Sequence, residues 1–224
     1  MALPPMLKVT LQSSVIGAVS NILAQFITSQ QNNTPFNINW VPVFQFFLYA
    51  VVSTPPNFLW QQYLEESFPA THPAPTTAAI IAAAAGDDKA LDSVPAPSLV
   101  EPKLNVRNTV IKTLLDQTVG AAVNTAMYSM FMHPIRAAMA HHSPGYDFMF
   151  GGSGKGKVVD YSVVDWNDAV ATSKAEFLPL IKASWAFWPF VSVLNFAVIK
   201  DVATRSLVGN LAGVAWGVYV SLFA

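Results

Sequence analysis

The sequence lacks cysteine and is poor in charge. The absence of cysteine excludes a disulfide, a thiol nucleophile and a cysteine-ligated metal site. Four histidines without a dense cluster of histidines and acids do not predict a metal site of another kind. A net charge of −1 provides no basic surface for nucleic acid. Charged residues make up 11% of the chain, against about a quarter in soluble domains, so the surface is short of solvated groups.

The few charges leave four long gaps. No Asp, Glu, Lys or Arg occurs in residues 9–64, 117–135, 183–199 or 206–224. A membrane-spanning helix needs roughly 20 predominantly apolar residues, so the first gap can hold two spans and each other gap one. Apolar residues make up 53% of the chain, and the mean hydropathy is +0.40. The sequence therefore predicts an all-α integral membrane protein in the lipid bilayer, a bundle of four or five transmembrane helices forming one membrane domain over residues 1–224.

Prolines interrupt two of the predicted spans. We expect the spans at residues 8–28, 39–63, 106–132, 183–199 and 206–223. Pro55 and Pro56 lie inside the second span, where they remove backbone hydrogen bonds and should kink or break the helix. Pro189 breaks the fourth apolar segment. The last two segments are therefore either two full spans or one span and a re-entrant piece.

The segments between the spans differ in character. Residues 67–105 are rich in Pro, Ala and Asp and predict a flexible loop with room for a short surface helix. Residues 137–159 predict a second flexible loop. Residues 160–181 place Trp166 and Phe177 against charged neighbours, a pattern typical of an amphipathic helix on the membrane surface.

Polar side chains occur inside the predicted spans. Asn21 and Gln25 lie one turn apart in the first span, and Gln117 and Asn124 lie in the third. At membrane depth such groups must face a partner or water, so they either bond between helices or line a wet path. Amides without a ring of one charge suit a weakly selective pore for small polar solutes. The candidate pore-lining residues are Asn21, Gln25, Asp116, Gln117, Asn124 and Arg205.

Two charged positions have alternative interpretations. Lys112 and Asp116 are four residues apart and form either a local ion pair or, through Asp116, a gate or solute contact. Arg205 either bonds the carbonyls exposed at a helix break or pairs with an acid such as Asp116.

Glycines four residues apart mark one face of the final helix. They are Gly209, Gly213 and Gly217. Glycine allows another helix to approach closely in a membrane, so this face packs either within the chain or against a second copy in a homo-oligomer.

The sequence does not predict an enzyme or a bound cofactor. The glycine-rich residues 151–157 resemble a phosphate loop, but Val158 stands where Ser or Thr would bind magnesium, and no buried strand precedes them. We find no activated nucleophile, metal cluster or cofactor motif elsewhere.

The carboxyl-terminal residues carry a specific pattern. Trp185 is followed by Trp188 and Pro189, then by Asn195 and Phe196, and later by Arg205 before an apolar tail. This pattern resembles the family that contains the twenty-two-kilodalton peroxisomal membrane protein and the Mpv-seventeen protein of the mitochondrial inner membrane. The residues that carry the resemblance are Asn21, Gln25, Pro56, Trp60, Tyr63, Lys112, Asp116, Gln117, Trp185, Trp188, Pro189, Asn195, Phe196, Arg205, Trp216 and Tyr219.

The resemblance implies an organelle membrane protein of about four spans. The Asn21 to Gln25 segment is closer to the peroxisomal branch, which favours the peroxisomal membrane over the mitochondrial inner membrane. Family members are associated with passage of small solutes, and others with organelle organisation. Two hypotheses follow: a weakly selective pore, or a structural protein that recruits partners through the long loop and the amphipathic segment.

Overall fold

The computed structural model describes residues 3–86, 99–150 and 157–223, without the side chains of Phe150 and residues 217–223. This part of the chain is mostly helical, as the sequence predicts. The helices are α1 (Pro5–Gln31), α2 (Trp40–Ser67), α3 (Thr77–Ala85), α4 (Val106–Leu115), α5 (Ala121–Ala138), α6 (Trp166–Ser184), α7 (Trp188–Val198) and α8 (Val202–Phe223). A π-helical turn, Asp116–Gly120, joins α4 to α5. Most of the glycine-rich segment lies outside the described residues.

Side chains of Asn and Asp fix where three helices begin. The Asn39 carboxamide accepts a hydrogen bond from the Val41 backbone N–H and starts α2. Asn105 accepts one from Asn108 and starts α4 in the same way. Asp165 starts α6 by accepting bonds from two backbone N–H groups. These side chains satisfy donors that a helix leaves free in its first turn, so the sequence itself places these helix starts.

The helices form two packed groups that share α2. Helix α1 packs on α2 and α8, while α5 packs on α2 and α6. Helix α4 packs on α7. The buried hydrophobic cluster consists of Val41, Met132, Ile135, Met139 and Phe148. Between α5 and α6, His133 Nε2 lies 3.0 Å from Glu176 Oε2.

The predicted loop of residues 67–105 contains regular structure that the sequence analysis did not foresee. Strands β1 (Thr71–Pro75) and β2 (Val100–Leu104) pair antiparallel, with Thr71 opposite Leu104. Helix α3 follows β1 and is the short helix that the sequence allowed for. The expectation of a flexible loop is therefore wrong at the two ends of this segment, where the strands pair.

The second predicted loop, residues 137–159, is also partly ordered. Met139 is fully buried and Phe148 nearly so, and both belong to the hydrophobic cluster. The Pro144 carbonyl accepts a hydrogen bond from the Trp40 backbone N–H at the start of α2. This segment therefore covers one end of α2. Burial of its two apolar side chains removes apolar surface from water and so stabilises this position.

Prolines end fewer helices than expected. Helix α2 continues through Pro55 and Pro56 instead of breaking there. Helix α5 includes Pro134 and ends at Ala138, six residues beyond the predicted end at residue 132. The break before α7 falls at residues 185–187, and Pro189 occupies the first turn of α7, where a missing N–H costs nothing.

Only some of the helices are long and apolar enough to span a membrane. Among the described residues, one helix, Pro5–Gln31, passes alone, and Trp166–Ser184 with Trp188–Val198 passes as a pair bent by 58°. The number of four or five spans is not confirmed. The segment that we expected to lie on the membrane surface thus forms the first half of this bent pair.

Polar and apolar side chains of α1 are arranged in the opposite way to those of a water-soluble domain. Apolar side chains spaced four residues apart form an exposed stripe along α1: Leu7, Leu11, Val15, Val19 and Leu23. The buried positions of the same helix include Thr10, Ser13 and Ser14. Asn210 of α8 donates a hydrogen bond of 2.6 Å to Ser13 Oγ across this face. An apolar exterior around a hydrogen-bonded interior is the arrangement that lipid favours.

Candidate functional site

A buried ionic cluster lies where α2, α4 and α8 meet. Lys112 Nζ lies 2.8 Å from Glu65 Oε2, and Arg205 Nη1 bonds to the same carboxylate oxygen. Lys112 and Arg205 are both almost completely buried, whereas Glu65 is partly exposed. The Arg205 Nε–H also donates to the Ile199 carbonyl at 2.6 Å. One carboxylate therefore holds two cations from different helices in place.

An aromatic ring completes this cluster from α7. The Phe196 ring is buried, with Lys112 Nζ 5.0 Å and Arg205 Cζ 5.4 Å from its centre. Both distances are within the range of a cation–π interaction, which is stronger when the cation is shielded from water. Phe196 thus contacts both of the cations that pair with Glu65.

Asp116 forms a second, neighbouring group of polar side chains. It begins the π-helical turn one helical turn after Lys112. Gln61 donates to its Oδ1 at 2.9 Å, and Ser192 donates to its Oδ2 at 2.8 Å. The Gln117 carboxamide donates to Oδ2 at 3.2 Å. Side chains from α2, α7 and the π-helical turn therefore converge on one carboxylate.

Gly120 allows Trp60 to approach Asp116. A Cβ atom added at Gly120 would lie 2.9 Å from Trp60 Nε1 and 3.2 Å from Asp116 Oδ1. Real Cβ atoms do not approach other atoms so closely, so a larger residue would displace the indole. The glycine is therefore required by the close packing of Trp60 on the π-helical turn.

The acid that pairs with both cations is one that the sequence analysis did not name. Lys112 pairs with Glu65 and not with Asp116, and the acid that holds Arg205 is also Glu65. The alternative in which Arg205 bonds a carbonyl at the helix break is correct. Glu65 was missed as a site residue. Its signal was available, because it is the first charged residue after the long gap of residues 9–64.

The candidate pore-lining residues fall in three places. Asp116, Gln117 and Arg205 lie in the two polar groups just described. Asn124 lines a groove beside Trp60. Asn21 and Gln25 bond to each other, and Gln25 also exchanges two hydrogen bonds with the backbone of Asn39. Residues 39 and 65 of α2 are roughly 39 Å apart at 1.5 Å per residue, so these sites occupy opposite ends of one long helix.

The other residues of the sequence pattern pack around the polar groups. Trp185 donates from its indole N–H to the Gln117 carbonyl at 3.0 Å. The Asn195 carboxamide reaches the Arg205 carbonyl at 3.5 Å. Phe187 stacks on Trp216 with 5.6 Å between the ring centres. Trp60 and Tyr63 stack on each other on α2, one turn beyond Pro56.

The predicted glycine face on α8 makes few close contacts. A Cβ atom at Gly209 would meet nothing within 4 Å, and one at Gly213 would lie 3.9 Å from Trp188. The side chain position of Gly217 lies outside the described part. A glycine that lies close to the backbone of another helix is instead Gly17, where a Cβ atom would lie 3.3 Å from the Phe46 carbonyl.

One region of the chain matches a known family of proteins. Residues 163–221 match the model of the Mpv17 / PMP22 family, and this segment includes Trp185, Asn195, Phe196 and Arg205. This part of the chain is therefore similar to the Mpv17 / PMP22 family, which is a family of membrane proteins.

The chain is also similar to one curated protein over a short segment. The chain is 41% identical over 49 residues to PXMP2/4 family protein 3 of Dictyostelium discoideum, which covers 22% of this chain and 26% of that protein. The match therefore spans about a quarter of the length of this relative. No solved structure matches the chain.

Proposed function

We propose that this protein is a weakly selective pore for small solutes in the peroxisomal membrane. The observation that carries the proposal is the charge-balanced group of polar side chains between the helices. Two acids, Glu65 and Asp116, and two cations, Lys112 and Arg205, lie within a few turns of one another. A route lined by equal numbers of both charges does not select strongly by the sign of the solute.

Unpaired polar atoms support a wet interior. The Gln117 Oε1, Asn195 Oδ1 and Arg205 Nη2 atoms are buried and have no hydrogen-bond partner among the described residues. Buried polar atoms in native proteins bond to protein or to water, and an unbonded one is costly. The two oxygen atoms can therefore accept hydrogen bonds from, and the Arg205 nitrogen can donate one to, water molecules or a polar solute that passes between α4, α7 and α8.

The exterior of the helices supports the membrane setting. Other helices also expose apolar side chains, among them Leu114, Phe190 and Val198, all of which are at least 60% exposed. Such a surface in water would drive aggregation, whereas in a bilayer it contacts acyl chains. The match of residues 163–221 to a family of membrane proteins agrees with this. The resemblance of the first helix to the peroxisomal branch, together with a PXMP2/4 relative, favours the peroxisome.

Solute flux in liposomes tests the proposal. The purified protein is reconstituted, and efflux of glycerol, a small sugar and a small carboxylate is compared with that from empty liposomes. We expect all three to leave faster with protein, and Asp116→Asn to alter the rates because it removes a charge that three side chains hold in the interior. Asp168→Asn, on exposed α6, is the matched control. A folded protein that gives no flux above the empty liposomes would overturn the pore.

A second candidate function is recruitment of partners at the organelle surface. Its support is the hairpin of β1 and β2, whose base is held to the helices. The Ala70 N–H donates to Glu65 Oε1 at 3.0 Å, and the Asn105 N–H donates to the Ala70 carbonyl at 2.8 Å. Beyond this base, Ile80 and Ile81 on α3 are exposed. Exposed apolar side chains next to a fixed base are suited to contact another protein.

A precise deletion separates the two candidates. Pro75 and Val100 are paired residues of the hairpin, so residues 76–99 can be replaced by Asn-Gly, which favours a two-residue turn. If the protein recruits partners through this arm of residues 76–99, the shortened variant should no longer be crosslinked to them on intact organelles. Its membrane insertion and solute flux should be unchanged. Recovery of the same partners with the shortened arm would count against recruitment through it.

A further inference from the structure

A groove beside the polar group of Asp116 opens between α2 and α5. Its volume is about 360 Å³. Helix α2 contributes Asn57 and Trp60, and α5 contributes Val123 and Asn124. This volume is at the low end of the range of about 300–1,000 Å³ that small-molecule pockets occupy, so it favours a slender ligand.

Both walls of the groove interrupt regular helical hydrogen bonding. Pro56 lines it from α2 and lacks a backbone N–H. Gly120 lines it from the other side and ends the π-helical turn. π-Helical turns within α-helices are often found at functional sites, because they widen the helix and change the direction of its side chains. Here the two irregularities face each other and leave space between the helices.

The groove presents unpartnered amides on an apolar surface. The Asn57 and Asn124 carboxamides make no hydrogen bond with another described residue. The apolar rim is exposed and includes Leu59, Val119 and Val123. In a bilayer this rim opens toward acyl chains, where an amide without a partner is costly. No charged side chain is among the described residues that line the groove.

We propose that this groove binds one neutral single-chain lipid with a hydroxyl head, such as a monoacylglycerol, taken up laterally from the bilayer. The hydroxyl groups both donate to and accept from the Asn57 and Asn124 carboxamides, and the chain lies against Val123. A phosphate or free carboxylate head finds no counter-charge there and would lose its hydration. The inference rests on the membrane setting of the proposed function but not on solute flux.

Photolabelling in proteoliposomes tests the site. The probe is a monoacylglycerol with a diazirine in its acyl chain, and adducts are mapped by mass spectrometry. We expect saturable adducts on the groove segments of α2 and α5, which unlabelled monoacylglycerol displaces. Val123→Phe fills the groove and should lower this labelling about tenfold, the factor that 1.4 kcal/mol of binding free energy represents. Val110→Phe is the matched control, because Val110 is 50% exposed on α4 and Val123 is 56% exposed.

The amides are tested by a second variant. Asn57→Leu combined with Asn124→Leu should remove the preference for the monoacylglycerol probe over a diazirine alkane of equal length. The groove should still be labelled. Two results would overturn the site. One is that a diazirine fatty acid labels the groove at neutral pH as strongly as the monoacylglycerol probe does. The other is labelling that is spread over all exposed helices and is unaffected by Val123→Phe. Flotation of the same liposomes distinguishes the failures. Protein that floats without groove adducts contradicts the groove alone, and protein that does not float contradicts the membrane setting as well.

Discussion

Glu65 and Lys112 form an ion pair of 2.8 Å across 47 residues of sequence, and the Lys112 side chain is fully buried. The same carboxylate holds Arg205, so a single acid compensates two buried cations. Its other oxygen accepts a bond from the Ala70 backbone at the base of the hairpin. Glu65 therefore joins α2, α4, α8 and the hairpin, and its loss should affect all four.

Glu65→Gln should destabilise the protein by about 3 kcal/mol or more. Breaking a buried ion pair leaves an uncompensated charge, which typically costs about 3–5 kcal/mol, and here two cations lose their partner. The measurement is unfolding in detergent followed by circular dichroism. Glu66→Gln is the control, because Glu66 is exposed and bonds only Gln62 in the described structure. Equal stability of the two variants would contradict the central role of Glu65.

Adding Lys112→Met to Glu65→Gln should recover part of the lost stability. The double variant removes one of the two unpaired cations and places an apolar chain in its position against Phe196. The same unfolding measurement compares the double variant with each single one. A double variant less stable than Glu65→Gln would show that Lys112 stabilises the fold through contacts other than its charge.

Two glycine substitutions should have opposite effects. Gly120→Ala places a Cβ atom 2.9 Å from the Trp60 indole and should destabilise by about 1–3 kcal/mol, the usual cost of overpacking. Gly209→Ala meets nothing within 4 Å and should stabilise by up to about 1 kcal/mol, since alanine favours the helix. Thermal unfolding of both variants in one detergent gives the comparison. A destabilising Gly209→Ala would indicate that a second copy packs on this face.

The start of α8 should make stability depend on pH in the acidic range. The pKa of Asp201 is below its ordinary value, chiefly because the Thr204 hydroxyl donates to its carboxylate, with a further bond from the Thr204 backbone N–H. A lowered folded-state pKa contributes stability above the unfolded value of about 3.9, and this contribution disappears as pH falls through the folded value. The wild-type protein should therefore lose stability as the pH falls below about 4.

Asp201→Asn checks this assignment. Asparagine also caps helices well, so the variant should be nearly as stable as the wild type near neutral pH. It cannot titrate, so its melting temperature should fall less between pH 6 and pH 3, values chosen on either side of the ordinary carboxyl pKa of about 3.9. An unchanged pH dependence in the variant would show that other carboxyl groups account for it.

The sequence was sufficient to predict the helices but not their contacts. The charge gaps predicted α1, α2 and the helix after residue 106, because long apolar runs have few alternatives to helix. Proline positions were a poorer guide, since packing kept α2 and α5 helical through Pro55, Pro56 and Pro134. Tertiary contacts can offset the loss of one or two backbone bonds, and the sequence does not show where they do.

The polar site was predicted in part. Lys112, Asp116 and Arg205 stood out because each is an isolated charge beside an apolar run. Glu65, which pairs with Lys112 and Arg205, was not chosen although it follows the long charge-free gap. Four-residue spacing favours a local pair, and the sequence does not show which charge pairs with which across 47 residues. The hairpin was missed for the same reason. Pro-rich strands do not alternate clearly, and their pairing depends on an anchor at Ala70 that only the fold provides.

Water access to the interior is the most direct test of the proposed route. The chain has no cysteine, so a single introduced cysteine can be followed with a water-soluble thiol reagent in proteoliposomes. Ser192→Cys places the thiol beside Asp116, where the serine hydroxyl now lies 2.8 Å from the carboxylate, and Val110→Cys places one on the exposed apolar face of α4. A wet polar route predicts that the buried Cys at 192 reacts faster than the exposed Cys at 110. Faster reaction at position 110, or none at 192, would contradict it.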